Sequence, residues 1–568
     1  MMHRMHIEIE ELLKIAPSSS LEGVMGDTPL IQIDALELFN AIKTLKEKLE
    51  FTILLDIVGI DWLNYPLQKR ERFSLIYLFR HNNFKDTIAI EVAIQEPIFG
   101  ADSITSIYSG ANWLEREIFD QYGIYFASHP NLKRILNHLE FEGYPLRKDY
   151  PINQRQICTK AQDMLDELSK ELLKKDLDLE KDNLMPLNLG PSHPASHGTI
   201  RTIVALDGEK IVASASEIGY LHRGFEKACE YHTYNQIIPY TDRLNYCSAL
   251  MNNIAFAKTV EEMLDIELPD RAIFIRVILA ELSRIIDHLV CLAAALLDMG
   301  AQTNYWYLFN PRNDAYDFLS KLTGARLTNS FIRIGGMAYD LYDGWEGDLQ
   351  DILYKVRKGV DETLIMVAKN RIFQDRVQDI SPISPKKAME MGFTGPNLRA
   401  CGVDYDMRAD KPYYYYDSFD FDVIVGSCGD TYDRLMVRFE EILQSIKIIE
   451  QAIVALPKGE INYNDRSITL PPKSEVYNTI EGTINQFKLI FEGIKVAPKI
   501  HYSAIEAANG ELGFTIISNG SGTPHRVKVR APSFLHMQAY PQMIEGYQVA
   551  DAIMTLGSLN IIAGEMDR

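Results

Sequence analysis

Two histidines stand four residues apart in "GPSHPASHGT", residues 190–199. Imidazoles in such a pair serve metal ligation, proton chemistry or plain packing. In an extended strand, positions four apart lie about 13 Å from each other, too far to share an ion. On a helix they would share a face, but Pro194 sits between them and the HEXXH glutamate is absent. Gly190, Pro191 and Gly198 favour a bent loop joining two strands. There a neutral imidazole accepts or donates a proton near neutral pH. His193 and His197 are thus candidates for loop-borne proton chemistry, with structural loop histidines as the alternative.

Tyr246, in "YTDRLNYCSAL" (240–250), brings a phenol that can donate one hydrogen bond, with Asp242 and Arg243 near it. The plainer reading is a core tyrosine with a satisfied hydroxyl. Glu281, Arg284 and His288 fall at i, i+3 and i+7 on one helical face, and Asp298 ends the same run. Buried acids and bases need partners. Glu281 and Arg284 therefore read as a structural ion network, while Asp298 stays open between network and proton relay. Glu115, Arg116, Glu117 and Asp120 show no nucleophile–base logic and read as an interface and folding element.

The elements that must hold these residues follow from pattern. "FTILLDIVGIDWL", "RFSLIYLFRH" and "IAIEVAIQ" are short β-rich runs and predict an α+β unit with an antiparallel sheet. Residues 159–182 are mostly charged, without aromatic, glycine or proline, and Leu165, Leu168 and Leu172 keep helical spacing. That predicts a solvated helix tethering two domains. Beyond it come a strand, the histidine loop, and two strands about an Asp207-Gly208 turn. The segment 270–298 is apolar on nearly every face, with Asp270 as its expected N-cap, and belongs in the middle of a bundle. Helical patterns fill 337–373 and 430–455, and 501–534 alternates as a meander. The expected domains are 1–155 and 186–568, joined by a helical linker at 156–185.

Length and composition bound the function. At 568 residues two or three domains are expected. A formal charge of −20 argues against nucleic acid or anionic lipid as a broad partner surface. The six cysteines form no CxxC, so neither a zinc ribbon nor a ferredoxin-type cluster fits, no metal site is assigned, and the thiols read as isolated and buried. "MMHRMHIEIEELLK" lacks the apolar core of a signal peptide, and no stretch reaches the roughly 18 apolar residues of a membrane span.

Taken in order, "GPSHPASHGTIR", "GYLHRGFEK", "YTDRLNY", "RVILAELSRIIDHL", "LLDMGAQT", "GDTYDRLMVR", "RVKVRAPSF" and "GEMDR" resemble the D subunit of respiratory complex I. "EREIFDQYGIYF", "HPNLKRIL" and "GYPLRKDYP" resemble its C subunit. Nearly the whole chain is covered, so it resembles a fused C/D subunit of the proton-pumping NADH-quinone oxidoreductases. The resemblance implies a D-like part built as a nickel-iron hydrogenase large subunit without its metal, its vacated cavity forming a quinone headgroup pocket with the B subunit. It implies roles for His197 and Tyr246 as hydrogen-bond donors to the quinone, and for Asp298 as the acid paired with that histidine. His193, Arg243, Ser248, Thr328 and Asn560 would line the pocket, and Arg223 would lie near the partner's [4Fe-4S] cluster. Quinone is then the substrate, with no cofactor on this chain. The B, I and membrane H subunits are the implied partners, on the cytoplasmic face of the bacterial inner membrane.

The chain also departs from the family. Histidines frequent in relatives are Ala295 and Thr328 here, and family aspartates are Asn245 and Asn560. This implies a variant site with fewer ionisable groups, suited to a lower-potential quinone such as a menaquinone. A hydrogenase large subunit is excluded on ligand count, because four thiolates from two CxxC motifs are missing. An assembly scaffold with a vestigial pocket, and a quinone reductase fed by another donor such as ferredoxin, remain as alternatives.

Overall fold

The computed structural model describes residues 19–95, 99–159 and 163–568. The N-terminal stretch read for a signal peptide, and residues 160–162 of the charged run, lie outside them. Helices and sheets are both present throughout, giving the α+β class.

The first sheet combines β1 (Ser20–Met25), β2 (Thr28–Ile33), β3 (Ile53–Asp61), β4 (Phe73–Arg80) and β5 (Thr87–Ile94), in the order β1-β2-β5-β4-β3. The β3, β4 and β5 pairings are antiparallel, as the alternating runs predict. The β2–β5 pair is parallel, which corrects the all-antiparallel expectation. The β1–β2 hairpin went unread because β1 is exposed at five of its six positions and carries no period-two pattern. Every residue of β3 and β4 is buried because both faces are covered. Ile57, Leu75 and Tyr77 face one core with α1 (Leu38–Glu47) and α2 (Ala111–Tyr122). Ile53, Leu55, Val58 and Ile60 face another that includes Tyr502, Ala504 and Ile517 from far along the chain.

The charged run is more than a solvated tether. Among its described residues only α3 (Leu165–Leu173) is helical, and its Leu168 is 0 % and Leu172 1 % exposed against Ile203, Ala205 and Ala213. Those residues belong to the antiparallel sheet of β6 (Met185–Leu189), β7 (Arg201–Asp207) and β8 (Lys210–Glu217). The histidine loop joins β6 to β7.

Helices then take over: α4 (Ala249–Leu264), α5 (Asp270–Asp298), α6 (Gln302–Thr323), α7 (Trp345–Val367) and α8 (Thr431–Ala455). The apolar α5 is wrapped by α4, α6 and α8, which explains why it lacks a polar face. Its N-cap is Pro269; Asp270 is already helical, and its carboxylate accepts the Tyr415 hydroxyl at 2.8 Å. The pattern at 337–373 is broken, because Gly336–Met337 is a strand and Gly344 enters α7 with a left-handed φ of 86°. After the amphipathic α9 (Ile480–Phe491) comes the expected meander of β9 (Ile500–Ala507), β10 (Gly510–Ile517) and β11 (Arg526–Arg530). The chain ends in α10 (Pro532–Ile544), α11 (Val549–Leu559) and α12 (Ala563–Asp567).

Buried charge joins the first sheet to this last part. Arg80 on β4 makes a two-pronged pair with Glu511 on β10 at 2.7 and 2.9 Å. Glu117 on α2 takes Lys528 at 2.7 Å and Arg568 at 2.5 Å. The stretch around Glu115 is thus an interface and folding element. Glu115 is held by the Ser103 hydroxyl and the Ile104 N–H, and Asp120 by Arg134 and three successive backbone N–H groups. Cys229, Cys291 and Cys401 are buried, but Cys158 and Cys428 are exposed, which corrects the reading of all six as core thiols. Both lie in irregular segments that no element covers.

Candidate functional site

The histidine loop meets the end of α5. Pro194–Ser196 is a single 3-10 turn whose N-cap is His193, its Nδ1 accepting the Ala195 N–H at 3.2 Å. His197 follows with φ of 50°, a left-handed conformation that turns the chain and aims the ring at the bundle. Its Nε2 donates to the Asp298 carboxylate at 2.5 Å. Both side chains are only partly shielded, so the pair is open to a ligand as well as to its own fold. A carboxylate on one ring nitrogen fixes the tautomer and the orientation of the imidazole.

Tyr246 sits in the 3-10 turn Tyr246–Ser248 that leads into α4, and is 38 % exposed. Its phenol oxygen has no hydrogen-bond partner among the described residues. Burial of much of the ring, with Cys247 and Asp287 adding like charge, pushes the phenol up to about 12. It therefore stays protonated and able to donate across the physiological range.

The C-terminal segment draws these groups together. Gly557 of α11 lies against the His197 ring and Asp298, where an added Cβ would stand 3.4 Å from His197 Cε1 and 3.8 Å from Asp298 Oδ2. Gly564 of α12 lies under the Tyr246 turn, 2.6 Å from the Arg243 carbonyl oxygen by the same measure. Glycine at both places lets the C-terminal segment pack closely on the histidine–acid pair and on the tyrosine turn.

The remaining predicted residues divide. Arg243 is exposed beside Tyr246, its guanidinium on the Pro239 carbonyl. Arg223 is exposed nearby, its pKa lowered by burial of the guanidinium stem and by Arg243. Thr328 is half-buried with φ of 44°, in a loop that Asp242 anchors through Ser330. Ser248 lies inside, its hydroxyl buried without a partner among the described residues. Glu281 and Arg284 belong to a sealed network with Arg408, Tyr416 and Ser445. His288 is spent on Glu441 at 2.9 Å.

Asn245 and Asn560 hold the unforeseen feature. Asn245 donates to Asp287 Oδ2 at 2.7 Å and Asn560 to Asp287 Oδ1 at 2.6 Å. The two asparagines thus hold both oxygens of a buried acid, Asp287. Nothing local signals this, since residues 245, 287 and 560 are far apart in the chain. Elsewhere, one possible ligand atom each of His138, Glu140 and Cys158 lie within 4.8 Å of one another, but Glu140 is already engaged by Thr159.

Comparison with known proteins sets the class. Residues 298–568 match the family described as respiratory-chain NADH dehydrogenase, 49 Kd subunit, and residues 31–156 match its 30 Kd subunit. The two together define a respiratory-chain oxidoreductase chain in which two subunits are fused. The C/D subunit of the NADH-quinone oxidoreductase of Bdellovibrio bacteriovorus is 48% identical over 528 residues, 92% of each chain. The D subunit of the Pelobacter propionicus enzyme is 50% identical over 386 residues, 68% of this chain and 96% of its own length. The D subunit of the Myxococcus xanthus enzyme is 50% identical over 384 residues, 68% and 92% respectively. The chain belongs to the family of C/D subunits of NADH-quinone oxidoreductase. Its partners are the other subunits of that complex, and no helix among the described residues is long and apolar enough to cross a membrane.

Proposed function

We propose that this chain forms, with the B subunit, the pocket in which a quinone headgroup is reduced, and that this reduction is coupled to proton translocation. The observation that carries the reading is the His197–Asp298 pair at 2.5 Å, bordered by the same C-terminal segment as the protonated, unpartnered phenol of Tyr246. Reduction of a quinone places negative charge on its oxygens. A phenol and an imidazole N–H are donors suited to stabilise that charge, and both can give up a proton as it develops. Asp298 keeps the imidazole oriented.

Electrons would come from a [4Fe-4S] cluster on the B subunit, since the six cysteines here are too scattered to hold one. The exposed Arg223 and Arg243 supply a positive surface suited to face that partner. Contacts with the I and membrane H subunits, at the cytoplasmic face of the bacterial inner membrane, complete the proposal.

The test is donor-to-quinone electron transfer in membranes carrying Tyr246→Phe or His197→Ala, with assembly checked by co-purification of the iron–sulfur subunit. The expected loss is about tenfold or more, equivalent to about 1.4 kcal/mol of transition-state stabilisation. Full activity in both assembled variants would make the pocket vestigial.

A further inference from the structure

The acids buried around α5 are held in two different ways. Glu281 is pinned by Arg284 and Arg408, and Glu441 by Arg399 and His288. Guanidinium partners fix a carboxylate in its charged form. Asp287, 1 % exposed on the same helix, has no ion-pair partner among the described residues. Its two oxygens are instead held by the neutral amides of Asn245 and Asn560. The Asn245 amide is fixed, its oxygen accepting the Cys247 N–H at 3.1 Å, whereas the Asn560 amide, which also donates to Asn509 Oδ1 at 2.6 Å, offers after a flip an acceptor for a hydrogen bond from a carboxyl O–H. A lone charge in such a place is costly and responds to any new charge near it.

New charge would arise next door. Asp287 acts electrostatically on Tyr246 and Cys247, at the inner side of the proposed pocket. Cys291 faces it from one turn further along α5, and Tyr316 faces it from α6. Glu565 faces it from α12, raised to about 7 by burial, with the charge of Asp287 adding to the effect. The adjacent His288 is engaged by Glu441. The nearby guanidiniums keep their charge, Arg312 on the Tyr316 hydroxyl and the buried Arg438 on the carbonyls of Arg434 and Ser558 and the Asn397 amide oxygen, so cations lie around Asp287 but none is in ion-pair contact with it among the described residues.

We infer that Asp287 is the redox-linked protonation site of this pocket, its carboxylate binding one proton as negative charge develops on the quinone oxygen beside Tyr246. The inference rests on the proposed quinone reduction. One O–H bond forms at Asp287 with a proton drawn from solvent; it breaks, returning that proton to solvent, once the quinone oxygen has taken a proton from the Tyr246 hydroxyl, which is reprotonated from solvent in its turn. The electrons are those the complex already delivers. The resemblance implies carboxylates at 245 and 560 in relatives. Three carboxylates in one buried cluster would repel one another, whereas two amides leave a single carboxyl there.

The test uses the assembled complex in membranes. Reduced-minus-oxidised infrared difference spectra are compared for the wild type, Asp287→Asn, Asp287→Asn/Asn560→Asp, Glu565→Gln and Tyr246→Phe. A carboxyl carbonyl band should grow on reduction in the wild type and in Glu565→Gln, vanish in Asp287→Asn, and return in the double variant, which moves the acid across the cradle. Donor-to-quinone turnover of Asp287→Asn should fall about tenfold at pH 8 and less at pH 6, where protons are abundant. An unchanged band, or a wild-type pH profile, in Asp287→Asn while Tyr246→Phe is impaired would overturn the inference and leave the pocket standing. Full activity in Tyr246→Phe and in His197→Ala alike would remove the pocket, and the inference with it. If Asp287→Asn does not assemble, the double variant decides: a carboxyl band there supports the inference, and its absence overturns it.

Discussion

At the scale of single residues, the site depends on which hydrogen bonds are charged. The His197–Asp298 contact pairs an imidazole N–H with a carboxylate, a charge-assisted bond roughly twice as strong as a neutral one. Asp298→Asn keeps the shape and removes the charge. We expect quinone reduction to fall about tenfold in an assembled complex, by kcat more than by KM, because the imidazole loses its orienting acid. Steady-state kinetics on membranes check this, and an unchanged kcat would reduce the pair to packing. The sequence made His197, Tyr246 and Asp298 legible only through motifs, since each alone has an ordinary structural reading. Asp287 was invisible. It falls beside the Glu281, Arg284 and His288 face that helical spacing picks out, and its partners come from other elements.

Among elements, local pattern succeeded where one segment decides its own fate. The meander at 500–530 and the strands about the Asp207-Gly208 turn carry their turns in sequence, and both form as read. It failed where tertiary cover decides. Leu168 and Leu172 lie in a run whose charge suggested solvent, yet a neighbouring sheet buries them. Asp270 has a good capping side chain but joins the helix, because Pro269 takes the cap and Tyr415 takes the carboxylate. The placement of α12 makes a sharper demand. A Cβ on Gly564 would stand 2.6 Å from the Arg243 carbonyl and 2.9 Å from that of Leu244, both backbone atoms that cannot swing aside. Gly564→Ala should therefore displace the 243–246 turn and lower quinone reduction at least as far as Tyr246→Phe does. Side-by-side turnover of the two assembled variants checks this.

On the scale of the whole molecule, two sets of buried carboxyls oppose each other as pH changes. Burial raises Asp56 to about 6, Glu91 to about 7, Glu115 to about 8 and Glu565 to about 7. Each lies above its unfolded value, so each costs stability at high pH, and the cost fades as pH falls through the folded pKa. Glu226 and Glu281 are also buried, but cations and hydrogen bonds outweigh this and hold them at about 2, as they do the more exposed Glu262. Their contribution is complete above the unfolded value near 4.5 and is lost as pH falls from there toward 2. The buried imidazoles of His129, His288, His525 and His536 are held below the ordinary 6.5 and cost stability as pH falls through it, so melting temperature should rise from pH 8 to about 6.5, level off, and drop below about 4. A scan of thermal unfolding against pH checks both limbs, and a maximum at pH 8 would contradict the balance. The charged seam between the first sheet and the end of the chain has one more consequence. Glu117 waits for Lys528 and Arg568, and Arg80 for Glu511, across more than 400 residues. A ribosome adding roughly 5–20 residues per second takes tens of seconds over that interval. Through that time the nascent chain holds these charges at a half-built surface, in need of water or a chaperone until translation delivers their partners.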